Sequence, residues 1–316
     1  MAAVTSSDRP PGTHRHRTGR VGQGALLRAL VLTAAFSVVE VIGGVLTGSL
    51  ALLADAGHML SDVAALSLAL AAGWYATRPA TPKRSYGYYR LEILAALANG
   101  MLLLLIAAYV SFEAFQRLAQ PTEVKSLPML GIAVVGLGVN LSAALILLKH
   151  RARSLNTQAA FLHILGDTLG SAGAIVGALV MLTTGWFIAD PIISLGIAAI
   201  IVFSAWHLMS RTLDILMEST PEHIDMVRVR ESVTSLNGVR GIHDLHVWSL
   251  TTGFVAMSGH VMMEERLNSV EDQRELLLAL RQRLREMGVD HATVQLETPD
   301  LPDEDIHCEG DPRCLP

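Results

Sequence analysis

Long apolar stretches separated by short polar ones dominate the first two thirds of the chain. Six windows of roughly 20 residues or more are almost free of charge: 25–47, 49–77, 89–117, 127–149, 155–182 and 188–209. Each is about as long as a helix must be to cross the hydrocarbon core of a bilayer. The pattern therefore predicts an α-helical membrane protein with six transmembrane helices. After Trp206 charges become frequent and no later window is apolar enough to span. There the periodicity predicts a helix over 224–236, alternating strands over 239–250 and 254–263, an amphipathic helix over 271–287 and a strand over 292–297. This αββαβ order suits a small sheet with helices on one face. Four segments follow: an N-terminal arm 1–24, a six-helix domain 25–210, a small α+β domain 211–298 and an acidic tail 299–316.

Composition agrees with the pattern. The 316 residues are 51% apolar and only 17% charged, with a mean hydropathy of +0.42, which excludes an ordinary soluble enzyme. A net charge of −5 offers nothing to nucleic acid. Residues 1–20 are polar and carry no apolar core of a cleavable signal, so the first window is expected to remain as an anchor in a multi-pass cell-membrane protein. Lys and Arg gather in alternate connections: Arg9, Arg15, Arg17 and Arg20, then Arg78, Lys83, Arg84 and Arg90, then Lys149, Arg151 and Arg153. The intervening connections carry only Arg117 and Lys125, so the positive-inside rule puts both termini in the cytoplasm. With only Cys308 and Cys314, a disulfide framework is not expected.

The candidate chemistry lies inside the apolar windows. His58 and Asp62 in the second, and His163 and Asp167 in the fifth, are each four residues apart, on one face of a helix. Ionisable side chains at membrane depth mark functional sites by default. Two imidazoles and two carboxylates converging there make a tetrahedral site suited to Zn²⁺, and their charge of −2 compensates a dication. The plainer reading satisfies each His by a helix–helix hydrogen bond and each Asp by a cation. It fits two pairs poorly, because neither window contains Lys or Arg. Gly166, Gly170, Gly173 and Gly177 would let a neighbouring helix approach the fifth span closely. Asp55, Glu40, Asn99 and Asn140 are further intramembrane polar groups, candidates for a pathway or for helix-packing hydrogen bonds.

Several separate motifs, ADAGHMLSD, YGYYRLEILAALANG, FLHILGDTLGS, ADPIISLGIA and GIHDLHVWSL, span nearly all of residues 25–298. In them the chain resembles the cation diffusion facilitator family, in particular its zinc-exporting branch. The resemblance implies six spans, cytoplasmic termini, a ferredoxin-like cytoplasmic domain and a homodimer that exports Zn²⁺ in exchange for protons. It carries the transport ligands onto His58, Asp62, His163 and Asp167. It also implies a regulatory metal site in the cytoplasmic domain, where His243, Asp244 and His260 match while Gln295 and Glu297 stand where relatives have His and Asp. A second site between spans 2 and 3 is not expected, because RPATPKRSYG has no His, Asp or Glu.

His307, Cys308 and Cys314 in the tail, and His14 and His16 in the arm, are weaker metal candidates, since the tail spacing is looser than a CxxC pair. No organic cofactor is expected. Three rival readings keep the membrane and differ in what happens there. Cd²⁺, Co²⁺ or Fe²⁺ could be the physiological ion, the chain could be a membrane metal sensor that does not transport, or it could be an intramembrane zinc enzyme. The enzyme fits worst, because a catalytic zinc keeps an open position and the chain has four candidate ligands and no HExxH.

Overall fold

The structure is a computed structural model that describes residues 20–76, 78–148, 155–267 and 269–298. Over these segments side chains are described except at 20–30, 66, 69, 70, 72, 73, 76, 147 and 155–166. Six long helices occupy the six apolar windows: α1 Arg20–Thr47, α2 Leu50–Ala76, α3 Arg90–Ala119, α4 Ser126–Leu148, α5 Leu155–Thr184 and α6 Ala189–Leu216. Among the described residues α3, α4, α6 and the Asp167–Thr184 part of α5 are long and apolar enough to cross a membrane. Their outward faces carry large apolar side chains, such as Leu105, Tyr109, Phe112 and Phe115 on α3 and Phe203 on α6. Water would not tolerate such a continuous apolar surface, whereas lipid does. The sixth helix runs past its expected end at 209 to Leu216, and the buried Thr212 in this extension returns its hydroxyl to Leu208 O and Met209 O.

The chain divides into two compact units, residues 1–63 with 103–202, and residues 64–102 with 203–316. In the first unit small residues set the helix crossings. A Cβ on Gly43 would collide with Ile132 Cδ1, and one on Gly136 would stand 2.8 Å from Phe36 Cε1, so α1 and α4 meet at their glycines. A Cβ on Gly177 would likewise strike Ile193 Cδ1 on α6.

The second unit contains the α/β domain: α7 Met226–Thr234, β1 Val239–Thr251, β2 Phe254–Met263, α8 Val270–Glu286 and β3 His291–Glu297. The sheet order is β1-β2-β3, with β1 antiparallel and β3 parallel to β2. Asp225 caps α7 by accepting from Val227 N and Arg228 N, and Ser269 with Asp272 forms a capping box at α8. Leu276, Leu280 and Leu284, four residues apart, give α8 one buried stripe. It packs with Val229 and Val233 of α7 against Val255, Met257, Val261 and Met263, the alternate residues of β2. On β1, Ile242 and Val247 both reach this core although their odd spacing would put them on opposite faces. A β-bulge resolves the conflict: His243 pairs with His260 and His246 with Ser258, so three steps on β1 oppose two on β2. Asp244 absorbs the extra residue at φ 48°.

Candidate metal sites

Within the first unit, α2 and α5 bring the paired residues together. His58 Nε2 lies 3.7 Å from Asp62 Oδ2 one turn along α2 and 3.6 Å from Asp167 Oδ1 on α5. Four ligands at about 2.0–2.1 Å around a tetrahedral ion stand about 3.3–3.4 Å apart. Each carboxylate is therefore within a few tenths of an ångström of a ligand spacing from His58, but among the described residues His58, Asp62 and Asp167 do not offer three ligand atoms within 4.8 Å of one another, so the two carboxylates stand further apart than a shared ion requires. Asp167 is 7% exposed and His58 14%, whereas Asp62 is 30% exposed, so the cluster is more open on the Asp62 side. His163 lies one turn before Asp167 on α5, and its side chain is outside the described residues.

A buried polar chain continues from this cluster. Asn140 Nδ2 on α4 donates to Ser171 Oγ at 3.2 Å, and Ser171 Oγ donates to Asp55 Oδ2 at 3.5 Å. Asp55 precedes His58 by one helical turn, and Ser171 follows Asp167 by one turn, so the chain runs along the same faces of α2 and α5. Glu40 on α1 is buried beside Asp55 and also faces Gly136 of α4. The absent side chain at Gly170 makes this approach possible, because a Cβ there would stand 3.0 Å from Asp55 Oδ1. Sequence reasoning missed Ser171, although its position four residues after Asp167 is a usable signal. Asn99 is buried on α3 in the second unit.

A second network in the first unit fixes the start of α2. The fully buried Asp190, at the start of α6, accepts from Ser49 Oγ at 2.7 Å, Leu50 N at 2.8 Å and Ala51 N at 3.3 Å. It thus caps a helix about 140 residues away in sequence, satisfying amide groups that a helix start leaves unbonded. Arg117 Nη1 stands 3.8 Å from Asp190 Oδ2 and donates to Gly48 O at 2.6 Å, so the α1–α2 turn, the end of α3 and the start of α6 share one polar knot.

In the α/β domain the sheet brings a different set together. Glu297 on β3 spans two imidazoles: Oε2 is 2.8 Å from His243 Nε2 and Oε1 is 2.8 Å from His260 Nδ1. These three residues offer ligand atoms within 4.8 Å of one another, close enough to hold a metal ion. The expected companions differ. Gln295 donates to Glu297 Oε1 at 3.0 Å, holding the carboxylate. Asp244 does not join the tight group, because the bulge turns its carboxylate to His246 Nε2 at 2.9 Å and leaves it 3.8 Å from His260 Nε2. Strict alternation would turn His246 and Asp244 to the core side with Ile242, whereas the bulge leaves both exposed. His14, His16, His307, Cys308 and Cys314 lie outside the described residues.

Comparison with known proteins agrees with this architecture. The family description "Cation efflux transmembrane domain" matches residues 26–217, and "Cation efflux protein, cytoplasmic domain" matches residues 221–299. The "Cadmium, cobalt and zinc/H(+)-K(+) antiporter" of Bacillus velezensis is 38% identical over 289 residues, covering 91% of this chain and 92% of that protein. The "Cation efflux system protein CzcD" of an Alcaligenes species is 40% identical over 298 residues, covering 94% and 90%. The "Zinc transporter ZitB" of Pectobacterium atrosepticum is 39% identical over 300 residues, covering 93% and 91%. With six apolar helices, an α/β domain after them and both family descriptions matched along most of its length, the chain belongs to the cation efflux, or cation diffusion facilitator, family of membrane metal transporters.

Proposed function

We propose that the chain exports Zn²⁺ from the cytoplasm in exchange for protons, through a tetrahedral site made by His58, Asp62, His163 and Asp167. The observation that carries this reading is the position of His58 Nε2 between two carboxylates of different helices, at 3.7 and 3.6 Å. Mixed nitrogen and oxygen ligands suit Zn²⁺ better than Mg²⁺, which wants more oxygens. Imidazoles must shed protons to ligate, so binding from inside and release outside are linked to opposite proton movements. The relatives support the same class: one is named for zinc, another for cadmium, cobalt and zinc with H⁺ and K⁺. Cd²⁺ and Co²⁺ are accordingly the competing cargo ions.

In this reading Asp55, Glu40 and Asn140 line the continuation of the pathway in the first unit, with Ser171 joining them, and Asn99 serves helix packing in the second. The His243, His260 and Glu297 cluster takes a regulatory Zn²⁺, with Asp244 as an outer neighbour, and the tail residues His307, Cys308 and Cys314 are weaker candidates. The chain works as a homodimer in the cell membrane with both termini in the cytoplasm. Its working parts follow the boundaries 1–24, 25–210, 211–298 and 299–316.

The test is Zn²⁺ uptake into inside-out vesicles under an imposed pH gradient, comparing the native chain with Asp62→Ala and Asp167→Ala. The reading expects gradient-dependent uptake that either substitution abolishes. Uptake that survives both moves the pathway away from α2 and α5. Zn²⁺ binding without uptake by the native chain favours a sensor.

A further inference from the structure

We propose that a cationic, aromatic cavity at the junction of α2, α3 and the α/β domain binds the phosphate headgroup of an anionic phospholipid. The cavity lies within the second unit and has a volume of about 510 Å³. Lys83, Arg84 and Arg90 bring positive charge to its wall, Tyr86, Tyr88 and Trp248 supply aromatic faces, and Leu91, Leu94 and Leu250 give an apolar side. This is the size and lining of a small-ligand pocket with a few convergent polar groups.

Its charge is uncompensated. Glu218 is the only acidic residue in the lining, and it is taken by Arg90 at 2.5 Å. Among the described residues neither Lys83 nor Arg84 has a carboxylate partner within 4.0 Å. Arg84 is instead held by a ring, its guanidinium 4.6 Å from the Tyr88 centroid. Stacking fixes the plane of a guanidinium without using its N–H donors, which leaves them for an oxyanion. A turn at Gly87, with φ +74°, carries the chain between Arg84 and Tyr88, and Gly87 N donates back to Arg84 O at 2.9 Å. The arrangement is therefore ordered by backbone and ring contacts before any anion arrives.

Position selects the source of the anion. The cavity sits where α2 ends at Ala76 and where α3, one of the apolar spans, begins at Arg90. Just before it, Arg78 lies over both Trp74 and Tyr75, at 4.7 and 4.5 Å from their centroids. Exposed Trp74, Tyr75 and Tyr86 around a helix end are the aromatic anchoring found at headgroup level. Basic pockets at such a boundary recognise anionic headgroups. Leu94, one turn along α3 and exposed, offers the apolar continuation that an acyl chain needs and a soluble phosphate ester does not.

The experiment is native mass spectrometry of the full-length protein in detergent, titrated with dioleoylphosphatidylglycerol or dioleoylphosphatidylcholine. The proposal expects preferential retention of phosphatidylglycerol. In K83Q/R84Q that preference falls by about 30-fold, since each cation near a membrane surface contributes about fivefold. The charge-keeping K83R/R84K retains it, which separates loss of charge from a damaged loop. R281Q/R285Q, the same charge change on α8, leaves it intact. Equal retention of both lipids, or full preference in K83Q/R84Q, overturns the proposal. Displacement of the lipid by millimolar sn-glycerol 3-phosphate also overturns it, because the occupant is then a soluble phosphate ester. None of these outcomes touches His58, Asp62 or Asp167, so the lipid site and the transport reading stand or fall separately.

Discussion

Removing the Asp190 carboxylate is expected to destabilise the transmembrane part by several kcal/mol, in an order that the contacts fix. Asp190 is fully buried and accepts from Ser49 Oγ at 2.7 Å and Leu50 N at 2.8 Å, with a weaker contact to Ala51 N at 3.3 Å. Hydrogen bonds to a carboxylate contribute about 1.5–3 kcal/mol each, so Asp190→Ala, which loses both short ones, costs about 3–6 kcal/mol. It also strips Arg117 of one carboxylate, although Glu113 at 2.9 Å and Gly48 O remain as partners. Asp190→Asn keeps one acceptor oxygen and should cost about half as much, and Ser49→Ala, which leaves Leu50 N and Ala51 N bonded to Asp190 but loses the Ser49 hydroxyl's bond to it and its acceptance from Leu52 N, about 1.5–3 kcal/mol. Because the Ser49–Asp190 bond is lost in either single variant, the double variant should be less damaged than the sum by about the worth of that bond, about 1.5–3 kcal/mol. The assay is unfolding of the full-length protein by SDS titration in maltoside micelles, followed by circular dichroism. An Asp190→Ala protein within about 1 kcal/mol of the native one would refute the idea that α2 is capped from α6, and additive single variants would remove the Ser49–Asp190 bond from that cap.

Three further outcomes follow from the sites. His58→Asp replaces the imidazole next to Asp62 and Asp167 with a third carboxylate, and it should raise transport of Cd²⁺ or Mn²⁺ relative to Zn²⁺ in vesicle uptake; an unchanged ratio would remove His58 from selectivity. Gly170→Ala drives a methyl to 3.0 Å from Asp55 Oδ1 in a packed interior, so it should destabilise by about 1–3 kcal/mol in the same SDS titration and slow uptake, while a silent variant would show that α2 and α5 have slack there. Glu297→Ala removes the carboxylate shared by His243 and His260, and calorimetric Zn²⁺ binding to the full chain should lose the component assigned to the α/β domain; retention of that component would leave Glu297 without a ligand role.

Local periodicity explains what could be read without coordinates. The apolar windows and the amphipathic helix over 271–287 are short-range signals, and the structure contains both, the second with its i, i+4 stripe Leu276, Leu280 and Leu284. The two HxxxD pairs stand out because charge is rare at membrane depth, and His58 stands 3.7 Å from Asp62 and 3.6 Å from Asp167. The omissions share a different cause. Asp190, directly before Pro191, reads as part of its own helix start, and nothing near it in sequence says that its oxygens serve Leu50 and Ala51. Alternation along β1 would put Asp244 and His246 on the core face with Ile242, and gives no hint that one extra residue leaves both exposed, 2.9 Å from each other. Gln295 stands out in sequence only for what it replaces, whereas its amide acts by steadying Glu297.

The left-handed residue in β1 also limits how the hairpin is assembled. A β-ribbon without such a marker can pair two residues out of step and still keep apolar side chains on one face. Here that slip would carry the bulge from its place opposite His260 and Ser258 and force a positive φ onto a branched or bulky neighbour, Ile242 or His246, instead of Asp244. Aspartate tolerates that conformation far better than a β-branched residue. Misaligned β1–β2 pairings are therefore disfavoured. In the native register His243 and His260 stand opposite each other, and the Glu297 carboxylate reaches both.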